Sequence, residues 1–423
     1  MTFSDNEYKP KFMEWGIINN DNFSNIYDIP LKRWDPLSTI SITTSEFGLD
    51  EHKKRFYGHY AYISPIRGKR PKGFDELKKK LMNIKCSEID FNDYVDVFKA
   101  VTEGHPIYDE KTGSLIGDGF TIIIMEDEKR RDNPFHDKPH RIQKLPDTCK
   151  AITLINRYPS MARVVDPEIE KIISKKLPSH LKLARGINLV TISRNFYPSF
   201  CFDLIPEDVL SGIFLSMKEA ILYCVLEAID KDYYDIPVNP FFNIGTKVGG
   251  SQPRIHGQVY IDLNGDGHGL RLEGYLRAFK EMGNNCHLCS TSHGNSERVI
   301  LKTEYWTFYL TGSPIRNYHI RFHPNEHVRR FTQLKINQFN DLANSLKIVF
   351  HALDEINVER NRNIIFNSCP YGYDANFHMF GDIIPHEIIG GAEMADDMRV
   401  ARKSPNLAAR ELRNAIQKFL NKK

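Results

Sequence analysis

Gly249-Gly250-Ser251-Gln252-Pro253-Arg254-Ile255-His256-Gly257-Gln258 is the stretch on which the reading of this chain turns. The glycines let backbone approach a ligand with no Cβ in the way. Ser251 and Gln252 offer donors to anionic oxygens, and the planar fork of Arg254 suits phosphate. His256 stands between Ile255 and Gly257, a small apolar setting in which an imidazole can stay neutral and nucleophilic. The residues that follow, Gln258-Val259-Tyr260-Ile261-Asp262, are β-branched and aromatic and predict a strand. A histidine at a loop-to-strand edge beside phosphate donors points to phosphoryl or nucleotidyl chemistry. Taken alone, the same ten residues also fit a Gly-rich turn with a structural histidine.

The chain around it has 423 residues, room for two or three domains. A 41% hydrophobic and 26% charged composition is that of an ordinary globular protein. The net charge of +3 is too small to indicate a nucleic-acid or membrane partner, and neither is expected. No window approaches the ~18 apolar residues of a membrane span, and no apolar signal region opens the chain. Seven cysteines, an odd number, argue against a disulfide framework and for a reducing, cytoplasmic setting. Only Cys286 and Cys289 form a Cys-x-x-Cys pair.

Residues 1–32 have no clear period and read as an N-terminal extension. Strands are predicted over 59–65, 117–125, 148–155, 186–193 and 241–244, and a helical pattern over 72–105. Val209, Leu210, Ile213, Phe214, Met217 and Ile221 recur at helical spacing within 206–230, with Pro206, Glu207 and Asp208 suited to the first turn. After a Gly-rich linker, a helix over 273–282 leads to Cys286-His287-Leu288-Cys289. Strands follow over 298–301, 306–310 and 317–322, a helix over 334–353, strands over 363–368 and 376–385, and a last helix over 404–420 with Ser404 and Pro405 at its start. Both halves share one order: strands, a long amphipathic helix, then two strands with a histidine near the end, His256 in one and His378 in the other. The pattern predicts an α+β fold built by internal duplication, each half an antiparallel sheet with a long helix. The expected domains are 1–32, 33–270 and 271–423.

The motifs in register across the chain resemble one family. Arg33-x-Asp35-Pro36-Leu37, Ser64-Pro65-x-Arg67-x-x-Arg70-Pro71, Asn156-Arg157-Tyr158-Pro159, Phe242-Asn243-x-Gly245, and Gly250-Ser251-x-Pro253-x-x-His256-Gly257-Gln258 follow the order of the galactose-1-phosphate uridylyltransferases and related nucleotidyltransferases and phosphorylases of the histidine-triad superfamily. Cys286-x-x-Cys289, Pro324-x-x-His327, Phe377-His378 and Gly390-Gly391-x-Glu393 look most like the ADP-glucose phosphorylase branch. The resemblance implies that His256 attacks the α-phosphorus of a nucleotide sugar and forms a nucleotidyl-histidine. A hexose 1-phosphate or inorganic phosphate then accepts the nucleotidyl group. It implies that Ser251 and Gln258 hold phosphate oxygens, that Arg67, Arg70, Asn156, Asn243 and Gly250 lie around the nucleotide, and that a homodimer is one form the chain could take. Gln258 stands where hydrolases of the superfamily carry a histidine. A neutral amide shuttles no proton, which favours transfer to phosphate over attack by water. A dinucleoside polyphosphate phosphorylase is the alternative with the same histidine chemistry. A non-catalytic nucleotide-binding protein is the alternative of another class.

The chain departs from the family in two places. The metal site usual in the first half has no ligand set here: Cys86 and Cys149 stand far apart, the expected mid-domain histidine falls near Phe196, and Arg254 replaces the first histidine of the signature. A partial set is not viable for zinc, so no metal is expected there. Arg254 then either takes over the metal's structural role or supplies charge to the phosphates. In the second half Cys286, Cys289, His327 and His378 form a candidate Cys₂His₂ zinc site, with His287, His293, His319 and above all His323 as rival ligands. His378 also has a competing reading as the vestigial counterpart of His256. In the sugar pocket Glu393 matches the family's glutamate, but Arg399, with Asp396 and Asp397 beside it, stands where a glutamine is usual. An arginine there suits an anionic group better than a neutral hydroxyl.

Overall fold

The computed structural model describes residues 8–14, 42–45, 49–50, 55–56, 60–64, 67–68, 98, 121–127, 149–156, 159–161, 174–175, 177–265, 268–293, 296–391, 393 and 399–422. The expected motif at 33–37, almost all of the helical pattern at 72–105, Arg70, Asp396 and Asp397 lie outside these residues. Eleven strands form one sheet. They are β1 (Tyr8–Glu14), β2 (Thr121–Asp127), β3 (Ala151–Ile155), β4 (Gly186–Ser193), β5 (Val238–Ile244), β6 (His256–Asp262), β7 (Val299–Lys302), β8 (Trp306–Leu310), β9 (Ile320–Pro324), β10 (Arg362–Asn367) and β11 (Phe380–Pro385). Their spatial order is β1-β2-β3-β4-β6-β5-β10-β11-β9-β8-β7. The pairs along it are antiparallel, so the chain is α+β as its pattern predicts. A smaller sheet joins Ile42–Ser45 to Tyr60–Ile63 and Lys182–Leu183.

The five helices described here are α1 (Glu207–Ile229), α2 (Leu270–Met282), α3 (His287–His293), α4 (Ile336–Glu355) and α5 (Pro405–Leu420). Strand alternation sends one set of side chains to each face of the sheet. Ile187 and Leu189 of β4, Val238, Phe242 and Ile244 of β5, Val259 and Ile261 of β6, Ile364 and Phe366 of β10 and Ile383 of β11 join the apolar faces of α1, α4 and α5 in a single core cluster. Phe214 of α1 stacks on Phe339 of α4 and meets Phe242 and Phe366 edge-on. Alternation therefore aims His256, Gln258, Asn243, Asn363, Asn367 and Asp382 at the opposite face. A second cluster, with Leu276 and Phe279 of α2, Leu288 of α3, Tyr309, Phe377 and Phe380, forms there.

Four differences from the sequence reading have physical reasons. Residues 1–32 show no period, yet Tyr8–Glu14 pair along their whole length with β2. An edge strand of a sheet does not need one clean buried face. The window Glu207–Leu226 is long and apolar enough to cross a membrane by length and composition, but 72% of it is buried against the rest of the chain. A helix apolar nearly all round is what a position between a sheet and a second helix requires. Cys201 is disulfide-bonded; an odd cysteine count rules out complete pairing, not a bridge. Ser404 stands at the N-cap of α5 with Pro405 behind it but makes no capping hydrogen bond through its side chain.

Candidate active site and metal centre

The loop between β5 and β6 is shaped by its glycines. Gly245 has φ +93°, and a Cβ on Gly250 would lie 2.6 Å from the carbonyl oxygen of Asn243 and 2.7 Å from that of Gly245. No other residue fits at Gly250 without moving the backbone. The turn delivers Ser251, half-buried, and Gln252, buried, ahead of β6. His256 is the first residue of β6 and sits opposite Ile192 of β4. Its Nδ1 lies 2.8 Å from the carbonyl oxygen of Arg254. A carbonyl can only accept, so Nδ1 carries the proton and the lone pair of the neutral ring is on Nε2. The Phe98 ring lies 6.0 Å away. Gln258, two residues on, is buried and lies on the same face as His256.

The other sequence-designated residues have contacts of their own. Asn243 faces it from β5, and its Oδ1 accepts from Asn363 Nδ2 at 2.8 Å. Asn156 immediately follows β3, its N–H donating to Asn188 O. The turn with Arg67 is tied to the next residues of that loop, since Ser64 Oγ donates to Pro159 O at 2.7 Å and Arg67 N donates to Ser64 O. Arg254 is differently engaged. Its guanidinium is buried, and Nη1 donates to Ser193 O and Arg194 O, both at 2.9 Å. Glu393 lies after β11, where its carboxylate takes Gly390 N at 2.9 Å and Arg316 Nη1 at 3.3 Å. The Gly390 hydrogen bond holds that carboxyl below its usual range. Burial, then the charges of Arg271 and Arg316, pushes Arg399 below its ordinary value, with Glu393 opposing them. Sequence reasoning passed over Asn361 and Asn363. Their one signal is an Asn-x-Asn pair at the head of β10, where the sequence predicts only the start of a strand.

The second half brings four soft donors together. Cys286 Sγ lies 3.3 Å from His378 Nδ1, Cys289 Sγ lies 3.3 Å from His327 Nδ1 and 3.4 Å from His378 Nδ1. All four donor atoms fall within 4.8 Å of one another. Bonds of about 2.0–2.1 Å to nitrogen and about 2.3 Å to sulfur around a tetrahedral ion put ligands at about these separations. His378 Nε2 lies 3.0 Å from Pro324 O, which fixes the tautomer with the Nδ1 lone pair toward the sulfurs. Burial, then the neighbouring Cys286, pushes the Cys289 thiol up to about 11; a cation in this position would reverse that. Of the rival ligands, His323 turns Nδ1 to Pro324 O at 3.0 Å. His319 is engaged by Asp382 and Ile315 N. Neither is among the four, nor is His287; the side chain of His293 lies outside the described residues.

No family model matches the chain, and no curated protein matches it significantly in sequence. Solved structures do match in three dimensions. A uridylyltransferase aligns with TM-score 0.55 and 19% identity over 74% of this chain and 98% of its own. A mutant uridylyltransferase aligns with TM-score 0.55 and 19% identity over 66% of this chain and 91% of its own. An ADP-glucose phosphorylase from Arabidopsis thaliana, solved with ADP-glucose bound, aligns with TM-score 0.51 and 19% identity over 66% of this chain and 84% of its own. The chain thus has the fold of the uridylyltransferases and of ADP-glucose phosphorylase, the group its motifs resemble.

Proposed function

We propose that the protein is a nucleotidyltransferase that carries a nucleoside monophosphate on His256, from a nucleotide sugar to a phosphate-bearing acceptor. The observation that carries this reading is the 2.8 Å contact between His256 Nδ1 and Arg254 O. It leaves the Nε2 lone pair as the nucleophile, beside a glycine loop with Ser251 and Gln252 and a strand with Gln258. In the first half-reaction Nε2 attacks the α-phosphorus. The N–P bond forms as the bond from that phosphorus to the bridging oxygen breaks, and the sugar phosphate leaves with the electron pair. In the second, an oxygen of hexose 1-phosphate or inorganic phosphate attacks the same phosphorus, and the lone pair returns to Nε2. Gln258 and Ser251 donate to the phosphate oxygens and move no proton in either step. Arg67, Arg70, Asn156, Asn243 and Gly250 surround the nucleotide, while Glu393 and Arg399 belong to the sugar side.

Cys286, Cys289, His327 and His378 hold a zinc ion in this reading. Bound there, the ion is a structural tie with a closed ligand set and takes no part in the reaction. The two halves, 33–270 and 271–423, are copies of one histidine-triad-like unit, which the strand order supports: from the central β5–β10 pair, each side of the sheet runs outward through corresponding strands. Intact mass after separate incubation with UDP-glucose, ADP-glucose and diadenosine tetraphosphate tests the mechanism. An acid-labile nucleotidyl adduct from a nucleotide sugar, absent in His256→Ala, is expected. An adduct from diadenosine tetraphosphate alone would move the assignment to a dinucleoside polyphosphate phosphorylase. No adduct from any donor at saturation overturns covalent transfer from these donors.

A further inference from the structure

The strand registers show what became of the metal position in the first half. Leu154, Val190, Gln258 and Phe241 face one another in a row across β3, β4, β6 and β5. Tyr309, Arg321, Asp382 and Ile365 form the matching row across β8, β9, β11 and β10. Laying the rows together strand by strand puts Ser193 on Pro324, Phe196 on His327, Arg254 on His378 and His256 on Phe380. The counterpart of His378 is therefore Arg254, not His256.

The correspondence extends to contacts. His378 reaches Pro324 O through Nε2 at 3.0 Å, and its ring lies 4.5 Å from that of His327. Arg254 reaches the equivalent carbonyl, Ser193 O, at 2.9 Å, adds Arg194 O at 2.9 Å, and holds its guanidinium carbon 5.7 Å from the centre of the Phe196 ring. A histidine pair that can ligate a cation in one half is an arginine–phenylalanine pair in the other. Neither residue offers a lone pair to a metal, and Cys149 in the same half turns its thiol to Ala151 O. A first-half zinc does not fit these residues. A positive charge remains at the spot, now covalently attached.

We infer that Arg254 is a positioning residue whose buried guanidinium stands in for a structural metal and holds the backbone beneath His256. The chain around it is pinned to the residues that follow β4: Ile255 N donates to Tyr197 O at 2.7 Å, Ser199 N donates to Pro253 O at 2.8 Å, and Pro198 bridges to Arg254 itself. The guanidinium completes this attachment by bonding the carbonyls at the end of β4. The carbonyl of Arg254, fixed in this way, is the one that selects the His256 tautomer. The functional meaning of that tautomer rests on the nucleotidyl-transfer reading; the positioning does not.

The test uses the full-length protein with Arg254→Met, which keeps an unbranched apolar stem and removes the guanidinium, and Arg254→Lys, which keeps the charge and N–H donors on a shorter side chain. The first readout needs no substrate: the pH profile of deuterium exchange at the His256 imidazole carbon, followed by peptide mass spectrometry. Both variants are expected to move the midpoint of this profile, Arg254→Met further than Arg254→Lys. The second readout is the rate of adduct formation at saturating nucleotide sugar. It is expected to fall roughly tenfold or more in Arg254→Met, with donor affinity unchanged and partial recovery in Arg254→Lys. An unchanged His256 profile in a folded variant, with weakened donor binding, overturns the proposal and makes Arg254 a phosphate ligand. If Arg254→Met does not fold, the Arg254→Lys profile decides in the same way. If wild type forms no adduct, the nucleotidyl-transfer reading fails while the imidazole profile still decides the role of Arg254.

Discussion

Asp382 is buried on β11, where Arg321 and His319 meet its carboxylate. Its Oδ1 accepts from Arg321 Nε at 2.8 Å and from His319 Nε2 at 2.9 Å, and its Oδ2 accepts from Asn367 Nδ2 at 3.1 Å. His319 Nδ1 accepts from Ile315 N, so Nε2 is the nitrogen that donates to Asp382, beside the Arg321 guanidinium. Burial by itself would raise the carboxyl, but the Arg321 guanidinium outweighs it and holds the group below the usual range. A carboxyl depressed in the folded state stabilises fully above its unfolded value of about 3.9, and that stabilisation drains as pH falls toward the folded value. Asp382→Asn strands Arg321, and removing one partner of a buried pair costs about 3–5 kcal/mol. Urea unfolding at neutral pH is expected to show a lower midpoint for the variant. The gap to wild type should narrow as pH drops from about 5 toward 2; a constant gap would mean that packing, not charge, is what the substitution removes.

The loop between β5 and β6 is held from the other half of the molecule. Asn361 Oδ1 accepts from Lys247 N at 3.0 Å, Lys247 Nζ meets Glu359 Oε2 at 2.5 Å, and Asn363 Nδ2 donates to Asn243 Oδ1 at 2.8 Å and to Val248 O at 3.3 Å. With Oδ1 taken by Asn363, Asn243 has its amide nitrogen to offer a ligand. Under the proposed function, Asn363→Ala is expected to raise the KM for the proposed nucleotide donor severalfold with little change in kcat, and to cost about 1 kcal/mol in stability, the worth of an ordinary hydrogen bond. Unaltered steady-state constants in a folded Asn363→Ala would reduce its role to structure. Burial opposes the charge on Glu359, yet Lys247 and Asn361 bring its carboxyl down to about 2, so this anchor is intact throughout the neutral range. Such links explain what was legible in the sequence. Gly186–Ser193 and Trp306–Leu310 could be read to the residue because alternation and β-branched or aromatic content agree there. The start of β6 could not, because His256 and Gly257 lack strand propensity and are placed by pairing with β4. Asn361 and Asn363 were illegible because the residues they serve lie more than a hundred positions away; 120 separate Asn363 from Asn243.

At the scale of the molecule, the order of motifs is enough to anticipate an α+β fold. It does not reveal that β5 and β10 pair, Phe241 against Ile365 and Asn243 against Asn363, so that one sheet runs through both halves. Nor does it reveal that α1 and α4 share one core beneath that sheet. Residues from two elements meeting at a seam leave no local pattern. The seam governs how loss of the proposed zinc should propagate. Cys286 immediately precedes α3 and Cys289 lies in its first turn, His327 follows β9, and His378 precedes β11. An ion held by these four residues would tie the start of α3 to the sheet, and metal affinity is folding free energy for the state that binds it. Cys286→Ser is expected to lose zinc, measured by elemental analysis, and to melt at lower temperature. Because the core crosses the seam, calorimetry should record one transition displaced as a whole, with calorimetric and van't Hoff enthalpies still equal. Two transitions, only one of them moved by the substitution, would show that the halves unfold independently and that the shared core couples them weakly. Unchanged zinc content in Cys286→Ser would remove the ion from this site altogether.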